Sequence, residues 1–360
     1  MACFVVGFLA TAIPRFSGTH HASLGELITF LLLTSGITFF LFCHLWIPAE
    51  LCFVSWLLAL ARFVFIRIKE RSKSDGVPKN SPPIEFVWIP IAILHGILGS
   101  VILILYQSKF LPLWIGDVGE DMLFQGFILS IVAGVGGFLI PRLMGRFEMV
   151  KSSEVCATKE VERRKRRNLF VHATLGLLFF ASFWIDIPGC QVWANSLRAL
   201  AVTSALVWSR SLPFPPRTSD LFARLLWISA WMIPVGLWFV VAFPAQEKGM
   251  LHFTFIGGLS LMTFAIATMV VLSHAGESAQ LRRPLPILWL VLIGAILALS
   301  FRVAAGFYPN RFFFYLGIAA SLWIVVGTGW FCFVVPRIPR FPEEGTFEQE
   351  HEKMKRLATR

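Results

Sequence analysis

The chain has 360 residues, of which 56% are hydrophobic and only 15% charged, with a mean hydropathy of +0.72. Soluble domains carry roughly 25% charged residues, so this composition excludes an ordinary water-soluble domain and makes lipid the main solvent. The formal charge of +11 raises nucleic acid as a partner, but the placement of the basic residues argues against it.

Apolar runs separated by polar or proline-containing punctuation predict spans near 1–13, 24–45, 47–66, 84–106, 122–141, 168–186, 191–209, 221–243, 251–273, 285–304 and 312–335. Each must be a helix, because an open strand leaves its backbone polar groups unsatisfied in lipid. The expected fold is an all-α polytopic transmembrane bundle of about eleven spans, a single membrane domain over 1–360 with a short cytoplasmic tail at 336–360. A span needs about 20 apolar residues, which the run 1–13 does not supply. The chain therefore reads as starting in mid-span, either with a stub or because its start is placed too late; three four-span units would make a twelve-span architecture of which this chain lacks the first helix. That run also lacks the basic flank and small-residue cleavage site of a signal peptide.

Lysine and arginine concentrate in alternate connections. Loop 67–83 holds five and loop 142–167 holds nine, including Arg163-Arg164-Lys165-Arg166-Arg167. Basic loops face the cytoplasm, so the N-terminus is expected outside and the C-terminus inside. The net charge is then a topology signal. Membrane lipid is the expected partner, with anionic lipid a second use of the 163–167 run and nucleic acid not expected.

VVGFLATAIPRFSG at 5–18 resembles VAGVGGFLIPRLMG at 132–145, four spans further on. Both copies run in the same direction, a parallel repeat of the kind found in some transporters. The expected units are 1–106, 122–243 and a third over 251–335. Cys43 and Cys52 flank one short loop, so either a disulfide or two free thiols is open there; no CxxC occurs among the six cysteines.

The histidines carry most of the chemical interest, because an ionisable or ligand-capable group inside a span is a functional-site hypothesis. Neutral imidazole suits haem iron and copper. The expected topology puts His20, His21, His172 and His274 at the cytoplasmic level, His44 and His252 at the outer level, and His95 near mid-span. His252 and His274 are 22 residues apart. In a regular α-helix they share a face, on a stripe with Ile256, Leu259, Thr263, Ala267 and Val270, and lie about 33 Å apart. They would serve separate sites, one near each surface. His274 with His20 or His21, and His252 with His44 or His95, are the topologically compatible pairs, with His172 a further candidate. Interfacial or backbone-bonded histidines are the plainer reading of each.

Arg198 sits inside its span and needs a partner, either Asp186 or a haem propionate. Asp117, Glu120 and Asp121 form an acidic cluster that reads as a solvated loop or a metal site. Gly257-Gly258 and Gly134, Gly136 and Gly137 permit close helix packing or the approach of a flat cofactor. No Walker, dinucleotide-binding, Ser-His-Asp or zincin motif is present.

The stretch 250–277, MLHFTFIGGLSLMTFAIATMVVLSHAGE, resembles the NnrS family signature through Leu251, His252, Gly257, Met262, Thr263, Ala265, Met269, His274 and Gly276. The segment 5–18 and residues Gly136 to Pro141 resemble two further family motifs. The chain departs from the family at Ser273-His274-Ala275-Gly276, where the family has G-H-T-G, and it begins after the point where the family carries a W-H-A-H-E-M run. The resemblance implies a polytopic protein of nitric-oxide stress or denitrification, containing haem and copper and meeting a small gaseous or metal-nitrosyl ligand. It makes His252 and His274 the first candidates for metal or haem. A proton-coupled secondary transporter is the alternative, and a scaffold acting through its basic loops is a third reading.

Overall fold

A computed structural model describes residues 7, 9–10, 13–14, 19–20, 22–73, 83–146, 158–218 and 220–338. The long helices, in chain order, are α1 (Leu24–Phe42), α2 (Trp46–Lys73), α3 (Trp88–Gln107), α4 (Leu113–Leu143), α5 (Thr158–Ser182), α6 (Gln191–Trp208), α7 (Leu221–Ala242), α8 (Pro244–His274), α9 (Pro286–Phe307) and α10 (Phe312–Val334). No strand occurs among the described residues, so the protein is all-α, as lipid requires of an open chain. Eight of the described helices are long and apolar enough to cross a membrane; α5 and α6 are not among them. Their apolar character is diluted by the basic run in α5 and by Gln191, Asn195 and Arg198 in α6. The outer surfaces suit lipid. Phe42 is 84% exposed and Phe313 83%, exposure on a scale that water would penalise. The chain is an integral membrane protein.

Two segments expected as loops are helical, and one residue expected at the end of a span is not. The basic run 163–167 lies on α5, which begins at Thr158. The acidic residues Asp117, Glu120 and Asp121 lie on α4, so the solvated-loop reading gives way to a helix face. Asp186 falls just beyond α5, in the turns before α6. Cys43 and Cys52 are free thiols.

The chain divides into two compact units. The first comprises 1–139 and 148–210, the second 140–147 and 211–360. Neither border coincides with those of the expected four-helix repeats, and most of the first repeat copy, 5–18, lies outside the described residues.

In the first unit α1 starts with a reciprocal cap. Ser23 Oγ accepts from the Glu26 amide at 3.3 Å, and Glu26 Oε2 accepts from the Ser23 amide at 2.8 Å, satisfying two of the amides a helix start leaves open. The same Oε2 receives Arg67 Nη2 at 2.9 Å, tying the start of α1 to the far part of α2. Between them Phe30, Trp56, Leu57, Leu60 and Phe63 bury together with Ile89, Ala92 and Phe127. In the second unit α9 packs on α10, and α7 on α8. Trp330 on α10 donates from Nε1 to Thr268 Oγ1 on α8 at 2.9 Å, giving a half-buried indole the partner it needs.

Two of the long helices are locally underwound. α4 contains π-helical turns at Met122–Phe127 and Val132–Gly136, and α8 contains one at Phe253–Ser260. Such insertions are rare and concentrate at functional sites.

Candidate functional site

In the second unit, α8 carries His252 and His274 at the two ends of its π-helical and α-helical body. The 8-residue π segment Phe253–Ser260 follows His252 directly. Its i→i+5 ladder turns the backbone less per residue than an α-helix, so the shared face calculated for a regular helix does not hold. The stripe between them is not one environment: Leu259 is 2% exposed and Val270 38%. The glycines of this segment serve packing. A Cβ on Gly257 would meet Met232 Cε at 2.7 Å, and one on Gly258 would meet Ile233 Cγ1 at 2.6 Å. α7 takes the space that a flat cofactor would need. In the first unit a Cβ added at Gly134 would likewise meet Trp88 Cβ at 3.2 Å.

His252 is half-buried and both ring nitrogens are engaged. Nδ1 contacts the Lys248 carbonyl one turn back at 2.5 Å, and Arg302 Nε on α9 donates to Nε2 at 3.1 Å. The carbonyl demands a proton on Nδ1 and the guanidinium demands a lone pair on Nε2, which together fix the tautomer. His274, at the other end of α8, makes the same internal bond, Nδ1 to Val270 O at 2.8 Å. Anchoring one ring nitrogen to a carbonyl orients the other as a ligand atom. Three residues on, Glu277 Oε2 accepts from Arg337 Nε at 3.0 Å.

The first unit holds Arg198, fully buried on α6. Nη1 donates to Asp121 Oδ2 on α4 at 2.9 Å and to Asn195 Oδ1 at 3.1 Å, while Nη2 pairs with Asp186. The guanidinium lies 4.0 Å over the Phe183 ring, and Gln125 donates to the other Asp121 oxygen at 2.9 Å. Asp186 is thus a partner, as expected, and Asp121 is a second. With both terminal nitrogens on carboxylates, the arginine's charge is answered by the protein itself, and the expectation of a propionate partner loses its motive.

His95 is fully buried on α3. Nδ1 lies 2.9 Å from Ile91 O, the rings of Phe179, Phe180 and Phe183 stand 4.9–5.4 Å away, and Nε2 has no partner. Gly126, in a π turn of α4, lets the ring in: a Cβ there would meet His95 Cδ2 at 2.5 Å. This packing closes the space around the ring. His172 is 1% exposed and its Nδ1 accepts from Trp88 Nε1 at 3.2 Å. That bond consumes the lone pair and leaves the proton on Nε2, so His172 is a core histidine. His44 is exposed, with φ 57°, in the turn after α1. His20 is exposed, and His21 lies outside the described residues. Of the described members of the expected pairs, His20, His44 and His95 belong to the first unit and His252 and His274 to the second.

Among the described residues no group of three or more His, Cys, Asp or Glu side chains could hold a metal ion. Sequence reasoning missed Arg302 as the partner of His252. The available signal was an arginine inside the apolar run 286–307, a position that demands a partner.

No curated protein and no solved structure matches the chain. A family model described as NnrS protein matches residues 1–340. The chain belongs to the NnrS family.

Proposed function

We propose that this NnrS-family protein binds haem or copper in the membrane and acts in nitric-oxide stress or denitrification-linked metabolism, with His252 and His274 as the ligands. The observation that carries the reading is the shared Nδ1 bond of both rings to the carbonyl one turn back, which presents Nε2 as the coordinating atom. At His252 a cation, the Arg302 guanidinium, already lies on that lone pair. A group held by the His252 imidazole would have to displace Arg302 from that lone pair. When bound, such a group would supply reversible binding of nitric oxide or passage of an electron. The chain's own part is to fix the tautomer and, through the apolar helices, to exclude water. The distribution of lysine and arginine supports an N-terminus outside and a C-terminus in the cytoplasm, and the family reading supports a bacterial inner membrane.

The test is a reduced-minus-oxidised absorption spectrum of the purified chain together with a count of iron and copper per protein. A haem or copper signal that disappears in His252→Ala or His274→Ala names the ligand. Well-folded protein with neither metal sinks the reading. A second reading, proton-coupled transport, is favoured by the buried His95 in mid-span, and it expects no haem and a pH-dependent flux.

A further inference from the structure

Glu50 lies on α2, inside a span, in the sequence Pro48-Ala49-Glu50-Leu51. The first turn of α2 contains no acidic residue, so Glu50 is past the stretch where a helix dipole favours negative charge. It is about 6 Å along the helix from Trp46. Its neighbours on that turn face lipid: Trp46 is 53% exposed and Leu51 54%. Yet the carboxyl turns inward, with Oε2 buried and without a hydrogen-bond partner.

The polar group beside it is Ser100 of α3, the helix packed against α2. Ser100 is fully buried and its Oγ also completes no hydrogen bond. Two helices therefore bring a carboxyl and a hydroxyl together in an apolar setting, near enough to interact with each other but without a completed hydrogen bond at either Glu50 Oε2 or Ser100 Oγ. No Lys, Arg or His among the described residues pairs with Glu50. On α2 itself the nearest ion pair is Arg67 with Glu26 of α1, about 25 Å further along. On α3 the titratable neighbour is His95, held to Ile91 and the phenylalanines of α5. A lone carboxylate at this place is unfavourable, since an ion buried without a counter-charge loses its hydration and gains no compensating attraction. A proton removes that charge, supplies an O–H to donate, and needs no more room than the packed helices leave.

We propose that Glu50 is a proton-binding site of the membrane domain, a carboxyl that takes up and releases a proton beside Ser100. The site is independent of the haem and copper reading.

The test is labelling of the full chain in native membranes with dicyclohexylcarbodiimide, an apolar reagent that reacts with protonated carboxyls. The carboxyl proton passes to one carbodiimide nitrogen as the carboxyl oxygen bonds to the central carbon. The acyl group then shifts from oxygen to nitrogen and leaves a stable N-acylurea. Peptide mass mapping should place the adduct on Glu50 and not on the exposed Asp117 or Glu120. Its yield should fall about tenfold per pH unit above the pKa of the site. Glu50→Gln should remove the adduct while leaving iron and copper content as in the parent. No adduct at Glu50 at any pH, in folded protein, overturns the proposal, as does an adduct whose yield ignores pH. Loss of metal in the parent chain would bear on the ligand reading and leave this one standing.

Discussion

Arg302 donates from Nε to Nε2 of His252 across 3.1 Å, although 50 residues separate them. A guanidinium on the lone pair that a metal would use is a competitor for that site. Arg302→Met should therefore tighten binding of Cu(I) to the metal-free protein. A hydrogen bond to a charged group contributes about 1.5–3 kcal/mol, so the gain should be on the order of tenfold to a hundredfold. Titration of parent and variant with a competing chelator measures it. Weaker binding in Arg302→Met would contradict the competitor role and make the arginine a support of the bound group.

Arg198 organises the buried cluster of the first unit, and the cluster is unbalanced: one guanidinium faces Asp121 and Asp186. Removing the arginine leaves two carboxylates without compensation, for which a loss of about 3–5 kcal/mol is expected. Asp186→Asn instead keeps the Arg198–Asp121 pair and equalises the charges. Thermal unfolding in detergent should show Arg198→Met far less stable than Asp186→Asn. Equal losses would mean that the pairing does not hold this region together.

Most helices were legible because an apolar run long enough to cross lipid has one backbone solution. The ends were less so. Spans expected from 122 and from 168 belong to helices that start at Leu113 and Thr158, since polar residues at a helix end look like loop when hydropathy alone marks the element. The partner of Arg198 was readable in Asp186, which lies 12 residues away at the same end of the neighbouring span. Asp121, 77 residues away, was not. The π segments left no trace either. In a helix apolar on every side, a change from i→i+4 to i→i+5 bonding shifts no polar residue into lipid, so the pattern is blind to it. The shared face of His252 and His274 failed for that reason.

Close packing of α9 on α10 rests on Gly294, where an added Cβ would overlap Val326 Cγ2. Val326 is 1% exposed and cannot turn aside into lipid. Gly294→Ala should cost about 1–3 kcal/mol by overpacking. Val326→Ala opens a cavity on its own, but in the double variant the new methyl fills part of it. The double variant should thus be more stable than the sum of the two single losses implies, by about 0.5–3 kcal/mol of coupling. Simple additivity in detergent melts would show that the helices separate slightly and do not clash.

The Trp88–His172 bond separates a structural histidine from a ligand. Trp88 is fully buried and its indole N–H is the donor to His172 Nδ1 at 3.2 Å. Trp88→Phe keeps an aromatic ring there but leaves the imidazole lone pair buried and unpaired, a loss of about 1–3 kcal/mol. His172→Leu removes the acceptor and strands the indole N–H, with a loss of similar size. Neither change should alter the iron or copper content per folded protein, because the imidazole already spends its lone pair on the tryptophan. His252→Ala should do the reverse, lowering metal content with a smaller effect on the melt, since its ring is half-buried at the end of α8. Loss of metal in His172→Leu without loss of fold would place a ligand at this core position and take the site away from α8.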